Sequence, residues 1–230
     1  MLRKLFLCAL SLALFNVAAL AQDDYNKAEG FVGYSNNQVE TGIADDVRSF
    51  NTTTNQFDDD FFDKRQGFHG VNAAGTFNFN RYVGVRGDFS ANYKNFRTNL
   101  PLTVGSVTSN SELRVNASVY NFLGGIQVKD NAKEGSRFRP FGYALAGAGV
   151  NRAKIDEDFF STSFCQRAGV DCRNGFDESE TGFAAALGGG IDIRATRRFS
   201  IRAVQIDYNP IRVGGSTQDN IRFGFGVVFH

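Results

Sequence analysis

Residues 71–93 read VNAAGTFNFNRYVGVRGDFSANY, two alternating runs joined by a tight turn at Asn80-Arg81. In both runs every second residue is apolar or glycine, and the residues between them are mostly polar or small. Because successive side chains of a strand point to opposite faces, each run predicts a strand with one apolar face. Each run is about ten residues long, enough to cross the hydrocarbon layer of a bilayer at a tilt of about 45°. The stretch therefore predicts a β-hairpin with apolar surroundings on one face and polar surroundings on the other.

The same period returns in six further segments, so the chain contains eight predicted strands. The additional segments are 27–36, 111–129, 137–154, 181–193, 199–208 and 221–229. In the seventh strand the apolar parity shifts, which predicts a β-bulge near Ala203. Long polar connections (37–65, 94–110, 155–180 and the more modest 209–219) alternate with short turns, so all the long ones fall at one end. An even strand number with this asymmetry is typical of transmembrane barrels.

Polar and apolar residues alternate along the strands of both soluble and transmembrane barrels, and the composition of the two faces distinguishes the two kinds. A soluble lipocalin-like barrel would carry its apolar parity inward and many Lys and Glu side chains outward. Here the polar parity is crowded with Gly, Ala and Ser, which suits the narrow interior of eight strands. Aromatic residues near strand ends match interfacial girdles; they are Phe79, Tyr82, Tyr93, Phe141, Phe199 and Phe229. The sequence therefore predicts an all-β fold, an eight-stranded antiparallel up-and-down transmembrane β-barrel with short periplasmic turns and longer extracellular loops.

The parity of each strand also predicts which side chains line the interior. The charged residues on the polar parity are Glu29, Arg86, Asp88, Arg114, Asp192, Arg202 and Arg222, with Asp207 beyond the bulge. An arginine on the lipid face costs about 2–4 kcal/mol at mid-depth, so we expect these residues to form ion pairs in the lumen. On the same reasoning Val119 and Leu123 of the fourth strand face lipid. In the fifth strand Phe141, Tyr143 and Leu145 share one face, which the girdle assignment of Phe141 makes the outer one.

The first 21 residues have the composition of an export signal. Arg3 and Lys4 precede an apolar core, and Ala19-Leu20-Ala21 matches an A-x-A cleavage site. We therefore expect residues 1–21 to be a cleaved secretory signal peptide and residues 22–230 to form one barrel domain. Removal of Arg3 and Lys4 with the signal peptide changes the net charge from +1 to −1. The remaining chain therefore has no excess of positive charge that would predict nucleic acid as a partner.

Cys165 and Cys172 are the cysteines that follow the predicted signal peptide. In an oxidising, exported setting we expect them to form a disulfide across a short loop, and two free thiols are the alternative. The histidines are His69 and His230. These residue types supply no metal-ligand set, and no cofactor is predicted.

Several segments carry a family resemblance. They are residues 120–125 (YNFLGG), residues 205–208 (QIDY) and the aromatic closing strand, together with the export signal. With them the chain resembles the small bacterial outer-membrane β-barrel family, whose best-known relative is the transmembrane domain of outer membrane protein A. The resemblance implies a monomer in the cell outer membrane, contact with its lipid and lipopolysaccharide, and delivery by periplasmic chaperones and the barrel-assembly machinery. In that family a terminal aromatic residue is the assembly signal; here it is Phe229, which His230 follows.

Three functions remain open for such a barrel. The first is a structural and surface-interaction role with an ion-paired lumen and little or no transport. The second is a small porin-like channel for ions or small solutes, which opens when a lumen arginine exchanges carboxylate partners. The third is an adhesin or a host or phage contact protein that acts through the loops. An enzyme is not predicted, because His69 and His230 fall at opposite ends of the barrel with no paired nucleophile evident.

Overall fold

The computed structural model describes residues 24–40, 50–51, 56–57, 65–104, 107–155 and 177–230. Side chains are described in these ranges except at 50–51, 56–57, 97–104, 107–114 and 155. Every regular element within the described ranges is a β-strand. They contain no helix of the length and apolarity that a membrane span requires.

Eight strands form a closed antiparallel barrel, which confirms the predicted fold class. They are β1 (Ala28–Glu40), β4 (Arg65–Asn78), β5 (Val83–Val104), β6 (Val107–Lys129), β7 (Phe138–Ile155), β8 (Asp177–Arg194), β9 (Phe199–Val213) and β10 (Ser216–Phe229). Their order around the barrel is β1-β10-β9-β8-β7-β6-β5-β4, and β4 pairs with β1. The two-residue strands β2 (Phe50–Asn51) and β3 (Gln56–Phe57) form a separate ladder. Consecutive barrel strands are therefore neighbours in space, as the up-and-down prediction requires.

The 71–93 stretch forms the β4–β5 hairpin. Val71 pairs with Ala91, and the turn occupies residues 79–82. The Asn80 side-chain oxygen accepts hydrogen bonds from the backbone N–H groups of Tyr82 at 2.8 Å and Val83 at 2.9 Å. These bonds satisfy turn donors that have no strand partner, and they hold the register of the hairpin.

The β-bulge predicted near Ala203 is confirmed. Ile191 pairs with Val204 but the next residue, Asp192, pairs with Arg202, so Ala203 is left out of the ladder. The extra residue changes which parity faces inward. It is the reason that Arg202 and Asp207, an odd number of residues apart, are both buried.

Two of the predicted loops are wrong, because the chain continues there as paired strand. In the predicted loop 94–110, β5 and β6 stay paired as far as Val104 and Val107. In the predicted loop 209–219, β9 and β10 are joined through Gly214 and Gly215, whose φ angles of 57° and 89° lie in the left-handed region that glycine tolerates. Polar composition indicated loops, but backbone pairing does not depend on side-chain polarity.

The two ends of the barrel differ. The connections 41–64 and 156–176 leave from the same end as the β5–β6 and β9–β10 hairpins, which we call the loop end. The opposite end carries the connections 79–82, 130–137 and 195–198, the start of β1 and the end of β10, and we call it the turn end.

The outer face is apolar, as predicted for most strands. Its exposed side chains include Val32, Val71, Phe77, Val85, Phe122, Ile126, Phe183, Leu187, Ile201, Ile206, Phe223 and Phe225. Charged residues of the same strands, such as Arg86 and Arg222, are instead 1% exposed. The barrel therefore has an apolar exterior and a polar interior.

The predicted parity of β6 and β7 is wrong. The large apolar residues of these strands are buried inside the barrel: Val119, Leu123, Phe141, Tyr143 and Leu145, all at 7% exposure or less. Phe141 is therefore not part of an aromatic girdle. Phe122 and Ile126 take the outer face of β6, and on β7 the exposed residues include Ala144 and Ala146. Both parities of these strands are largely apolar or small, so alternation does not distinguish them, and the need to fill the narrow interior decides.

Candidate functional site: the ion-paired lumen

The middle of the lumen holds two carboxylates bridged by one arginine. Arg222 on β10 donates from Nε to Asp207 Oδ2 at 2.6 Å and from Nη1 to Asp88 Oδ1 at 3.1 Å. Asp88 also accepts from Arg86 Nη2 at 2.7 Å, and the Tyr143 hydroxyl donates to Asp207. The Arg86 guanidinium carbon lies 4.3 Å from the centre of the Tyr143 ring. These contacts join β5, β7, β9 and β10 across the barrel.

A second ion-paired group lies nearer the turn end. Lys129 Nζ lies 2.7 Å from both Glu29 carboxylate oxygens and 3.0 Å from Asp192 Oδ2. Arg202 donates from Nε to Asp192 Oδ1 at 2.8 Å and from Nη2 to Oδ2 at 3.2 Å. The Lys129, Glu29, Asp192 and Arg202 side chains are at most 3% exposed. This group joins β1, β6, β8 and β9.

Two glutamines connect the groups into one network. Gln127 accepts from Arg86 Nη1 at 2.9 Å, and Gln205 accepts from Arg202 Nη1 at 2.8 Å and donates to Asp207 at 3.2 Å. The ion-paired members are Arg86, Lys129, Arg202 and Arg222 against Glu29, Asp88, Asp192 and Asp207. Their formal charges cancel. Buried charges are tolerated when they are paired and hydrogen-bonded. Each charged member is paired and hydrogen-bonded, while Arg86 Nε and Arg222 Nη2 have no hydrogen-bond partner among the described residues.

An aromatic sandwich fixes one of the arginines. The Arg202 guanidinium carbon lies 4.3 Å from the centre of the Phe31 ring and 4.0 Å from that of Phe141. Phe31 is a large residue on the polar parity of β1, and glycines make room for it. A Cβ atom at Gly33 or Gly226 would come within 2.8 or 2.9 Å of the Phe31 ring. The two glycines therefore permit a cation–π contact that holds Arg202 over the Asp192 carboxylate.

An apolar cluster fills the lumen beside and above the network, towards the loop end. Its members are Val39, Phe68, Val119, Leu123, Phe141, Tyr143, Leu145, Ala184, Ala186, Ile211 and Val213. Ala184 and Ile211 are 0% exposed. The lumen is thus filled by an ion-paired layer and an apolar layer.

His230 folds back into the turn end of the lumen. Its backbone N–H donates to the Arg198 carbonyl at 2.9 Å, and its ring Nε2 lies 2.8 Å from Ser200 Oγ. Its Nδ1 lies 3.0 Å from Glu29 Oε1. Serine, imidazole and carboxylate follow one another as in a hydrolase triad, an arrangement that the sequence analysis missed. Ser200 is 0% exposed and Glu29 is held by Lys129, so no ester reaches the hydroxyl in this conformation.

Seven of the eight charged residues that the sequence placed in the lumen are buried there, and all seven are ion-paired. Arg114 is the exception: the parity that predicted it for the lumen is the parity of the exposed residues Phe122 and Ile126, and its side chain lies outside the described part of the structure. Its backbone pairs with Arg97, one residue beyond the last β6–β7 pair, Val115 and Ile155.

Lys129 is the ion-paired member of the network that sequence reasoning missed, and the buried Arg139 of β7 was not predicted either. Lys129 is the last residue of β6 and of the predicted strand 111–129, next to the turn residue Asp130. Its parity with Gln127 is the signal that could have found it, since both residues are buried.

Other predicted features stand apart from the network. Cys165 and Cys172 lie outside the described residues, and the disulfide stays a prediction. Phe229 is 54% exposed on the outer face of β10. Across the described residues, no group of three or more His, Cys, Asp or Glu side chains is placed to hold a metal ion.

A closed eight-stranded barrel with an apolar exterior and an ion-paired interior defines a transmembrane β-barrel. The chain belongs to the outer membrane protein beta-barrel domain family, whose model matches residues 7–229. It is therefore a protein of the bacterial outer membrane, which confirms the predicted family and location.

Several solved structures have a similar fold. Ail, the attachment invasion locus protein of Yersinia pestis, is 17% identical, with 88% of this chain and 97% of that chain covered and a TM-score of 0.49. Neisserial surface protein A is 10% identical, with 90% and 99% covered and a TM-score of 0.46. OprG from Pseudomonas aeruginosa is 11% identical, with 88% and 94% covered and a TM-score of 0.42. No curated protein matches the sequence.

Outer-membrane barrels place their short turns in the periplasm and their longer loops outside the cell. The turn end of this barrel therefore faces the periplasm, and the loop end faces the cell exterior.

Proposed function

We propose that the protein is a closed outer-membrane barrel with a structural and surface-interaction role and little or no transport. The neutral ion-paired network across the lumen is the observation that supports this most directly. Six of the eight barrel strands contribute a charged member to it. The apolar cluster forms a second layer, so a hydrated ion would have to displace both layers to cross.

The energetics of buried charges favour the closed state. Removing one partner from a buried ion pair costs about 3–5 kcal/mol. At a factor of ten for each 1.4 kcal/mol, a state with one unpaired charge has a population of about one in a hundred to one in several thousand. Openings in the unmodified barrel are therefore expected to be rare.

A small gated channel is the alternative, and one feature favours it. Asp88 contacts both Arg86 and Arg222, and Asp192 contacts both Lys129 and Arg202. A shared carboxylate keeps one cation while it releases the other, which lowers the cost of partner exchange. The channel would then open by rearrangement of the network rather than by its disruption.

Single-channel recording in planar bilayers separates the two functions. We expect no current steps from the wild-type barrel, and steps from an Arg202→Ala/Arg222→Ala variant that removes two guanidinium groups from the lumen. Arg81→Ala, which changes an exposed periplasmic arginine, is the control and should stay silent. The gel shift of unheated samples reports whether each variant is folded. Steps from the folded wild-type protein would favour the channel.

The surface-interaction role is supported by a ribbon that projects from the loop end. Within the described residues β5 pairs with β4 as far as Tyr93, and β6 pairs with β7 as far as Val115, but β5 and β6 remain paired to Val104 and Val107. At about 3.3 Å per residue, the eight-residue segments 97–104 and 107–114 extend roughly 25 Å beyond their neighbours. Among the described residues the two edges of this ribbon have no further strand partner, and backbone groups at a strand edge can pair with a partner chain.

A register-matched deletion tests the ribbon. Phe96 and Val115 are cross-strand partners, so replacing residues 97–114 by Asn-Gly closes the hairpin with a favoured turn. We expect this variant to fold and to lose attachment of expressing cells to host cells or phage. A deletion of residues 157–175 is the matched control. Unchanged attachment in the ribbon deletion, or loss in the control alone, would argue against a role for the ribbon.

We further propose that the barrel is a monomer that contacts lipid and lipopolysaccharide, and that Phe229 is the signal read by the barrel-assembly machinery after chaperone delivery. The Phe229 ring is exposed on the outer face of the last strand, where an assembly factor can reach it. Phe229→Ala should slow assisted folding into proteoliposomes more than spontaneous folding into detergent. Equal slowing in both assays would mean that Phe229 acts only through barrel stability.

A further inference from the structure

An arginine followed by an aromatic residue recurs at the periplasmic end of three strands. The dipeptides are Arg81-Tyr82, Arg137-Phe138 and Arg198-Phe199, at the starts of β5, β7 and β9. Tyr82, Phe138 and Phe199 are 53%, 59% and 39% exposed. Exposed rings at a barrel end lie at the level of the lipid head groups. The arginine that directly precedes each of these rings therefore lies at the level of the lipid phosphates.

The three turns differ in whether their arginine is already neutralised. Arg81 forms a bidentate ion pair with Asp130, with both contacts at 2.7 Å. Arg137, Arg197 and Arg198 are exposed, and none of these three side chains has a partner within the described residues. We call these three residues the basic turn patch. One exposed acid, Glu134, lies on the same turn as Arg137, so the patch has an excess of positive charge.

The two turns that carry the patch are held in place beside each other. Arg194 donates to the carbonyls of Lys133 at 2.9 Å and Gly135 at 3.0 Å, and its N–H donates to the Arg137 carbonyl at 2.8 Å. On the other turn, the Thr196 hydroxyl accepts from the Arg198 N–H at 3.1 Å. The backbone that carries the cations is thus ordered before any ligand arrives, which reduces the entropic cost of binding.

We propose that the basic turn patch binds the phosphate of an anionic glycerophospholipid in the inner leaflet of the outer membrane. The guanidinium groups suit phosphate because they donate in a fixed, planar fork. The exposed rings of Phe138 and Phe199 adjoin the patch on the side of the apolar belt, where the glycerol and acyl chains of the same lipid lie. This juxtaposition of cations and membrane-facing rings favours a lipid over a soluble periplasmic polymer.

Native mass spectrometry of the full barrel tests the proposal. The protein is released from micelles that contain phosphatidylglycerol and phosphatidylcholine, and the bound lipids are counted for the wild type, for Arg137→Gln/Arg198→Gln and for Lys154→Gln/Arg212→Gln. The last variant removes two exposed cations from the opposite end of the barrel, so it matches the charge change. With about a fivefold gain per arginine near an anionic surface, we expect the first variant to lose about 30-fold in phosphatidylglycerol affinity. The matched variant should bind like the wild type.

Three results would overturn the proposal. The first is equal retention of phosphatidylglycerol by the wild type and Arg137→Gln/Arg198→Gln, both folded by gel shift. The second is an equal loss in the matched variant, which would mean that net charge rather than the patch holds the lipid. The third is displacement of the lipid by soluble peptidoglycan fragments at lower concentrations than by short-chain phosphatidylglycerol, which would assign the patch to the cell wall.

Discussion

Lys129 Nζ lies 2.7 Å from both carboxylate oxygens of Glu29, although 100 residues separate the two positions in the chain. The contact joins β6 to β1 across the lumen, and both side chains are at most 3% exposed. In so buried a position each charge depends on the other, because water cannot replace the missing partner. The pair therefore couples two strands that are not neighbours in the barrel.

Lys129→Met should destabilise the barrel by about 3–5 kcal/mol, because it leaves the Glu29 charge buried without its cation. The double variant Lys129→Met/Glu29→Gln should be closer to the wild type, since it removes both charges. Equilibrium unfolding in urea from lipid vesicles measures both. Lys154→Met, at an exposed site, is the control. A double variant that is less stable in urea than Lys129→Met alone would contradict the coupling.

Acid should weaken the periplasmic turn contact between Arg81 and Asp130. The hydrogen bonds from the Arg81 guanidinium lower the pKa of Asp130 from 3.8 to about 2. A carboxyl group whose pKa is lowered in the folded state contributes stability at pH values above its unfolded-state pKa. This contribution is lost as the pH falls through the folded-state pKa. Both side chains are more than 40% exposed, so solvent and salt screen the contact and the effect is small.

The measurement for this contact is the urea midpoint of the wild type and of Asp130→Asn between pH 5 and pH 2. The wild type should be the more stable at pH 5, and the difference should shrink as the pH approaches 2. A difference that stays constant over this interval would show that the Asp130 charge makes no contribution.

Gly226→Ala should impair barrel formation, because the new methyl group would lie 2.3 Å from the Val32 carbonyl oxygen and 2.9 Å from the Phe31 ring. Backbone and ring would both have to move, which displaces the support of Arg202. Gly75→Ala is the matched control, since a Cβ there meets no atom within 4 Å. Refolding yield by gel shift is the readout. Equal yields for the two variants would mean that the Phe31 packing is dispensable.

Ser200 should not react with a fluorophosphonate probe, despite its 2.8 Å contact with the His230 ring. The side chain is fully buried, and the adjacent carboxylate is compensated by Lys129. Mass spectrometry of the treated, folded protein provides the test, with Ser200→Ala as the control. Labelling of Ser200 in the wild type would mean that the periplasmic end opens enough to admit a substrate.

The sequence predicted the strand number, the hairpin, the bulge at Ala203 and most of the lumen charges, because each leaves a local mark. A period of two marks a strand, and a parity shift marks a bulge. A charge on the polar parity of an apolar strand has few places to lie in a membrane protein. None of these inferences requires knowledge of a distant residue.

The extent of the strands could not be read in the same way. Residues 94–104 contain two Asn and two Thr, and residues 209–213 contain Asn, Pro and Arg, and this composition indicated loops. They are strands because their backbone groups find partners across the hairpin, and those hydrogen bonds form outside the apolar layer as well as within it.

By itself, then, the sequence determined the barrel class, since alternation and strand length follow from the geometry of single strands and the thickness of a bilayer. Only the tertiary structure decided that Leu123 and Tyr143 face inward, because their strands are apolar or small on both sides and the interior volume made the choice. It also decided the ion pairs. Which cation reaches which carboxylate depends on the stagger of strands around a closed barrel, and Lys129 meets Glu29 only once β4 and β5 bring β1 and β6 around the same lumen.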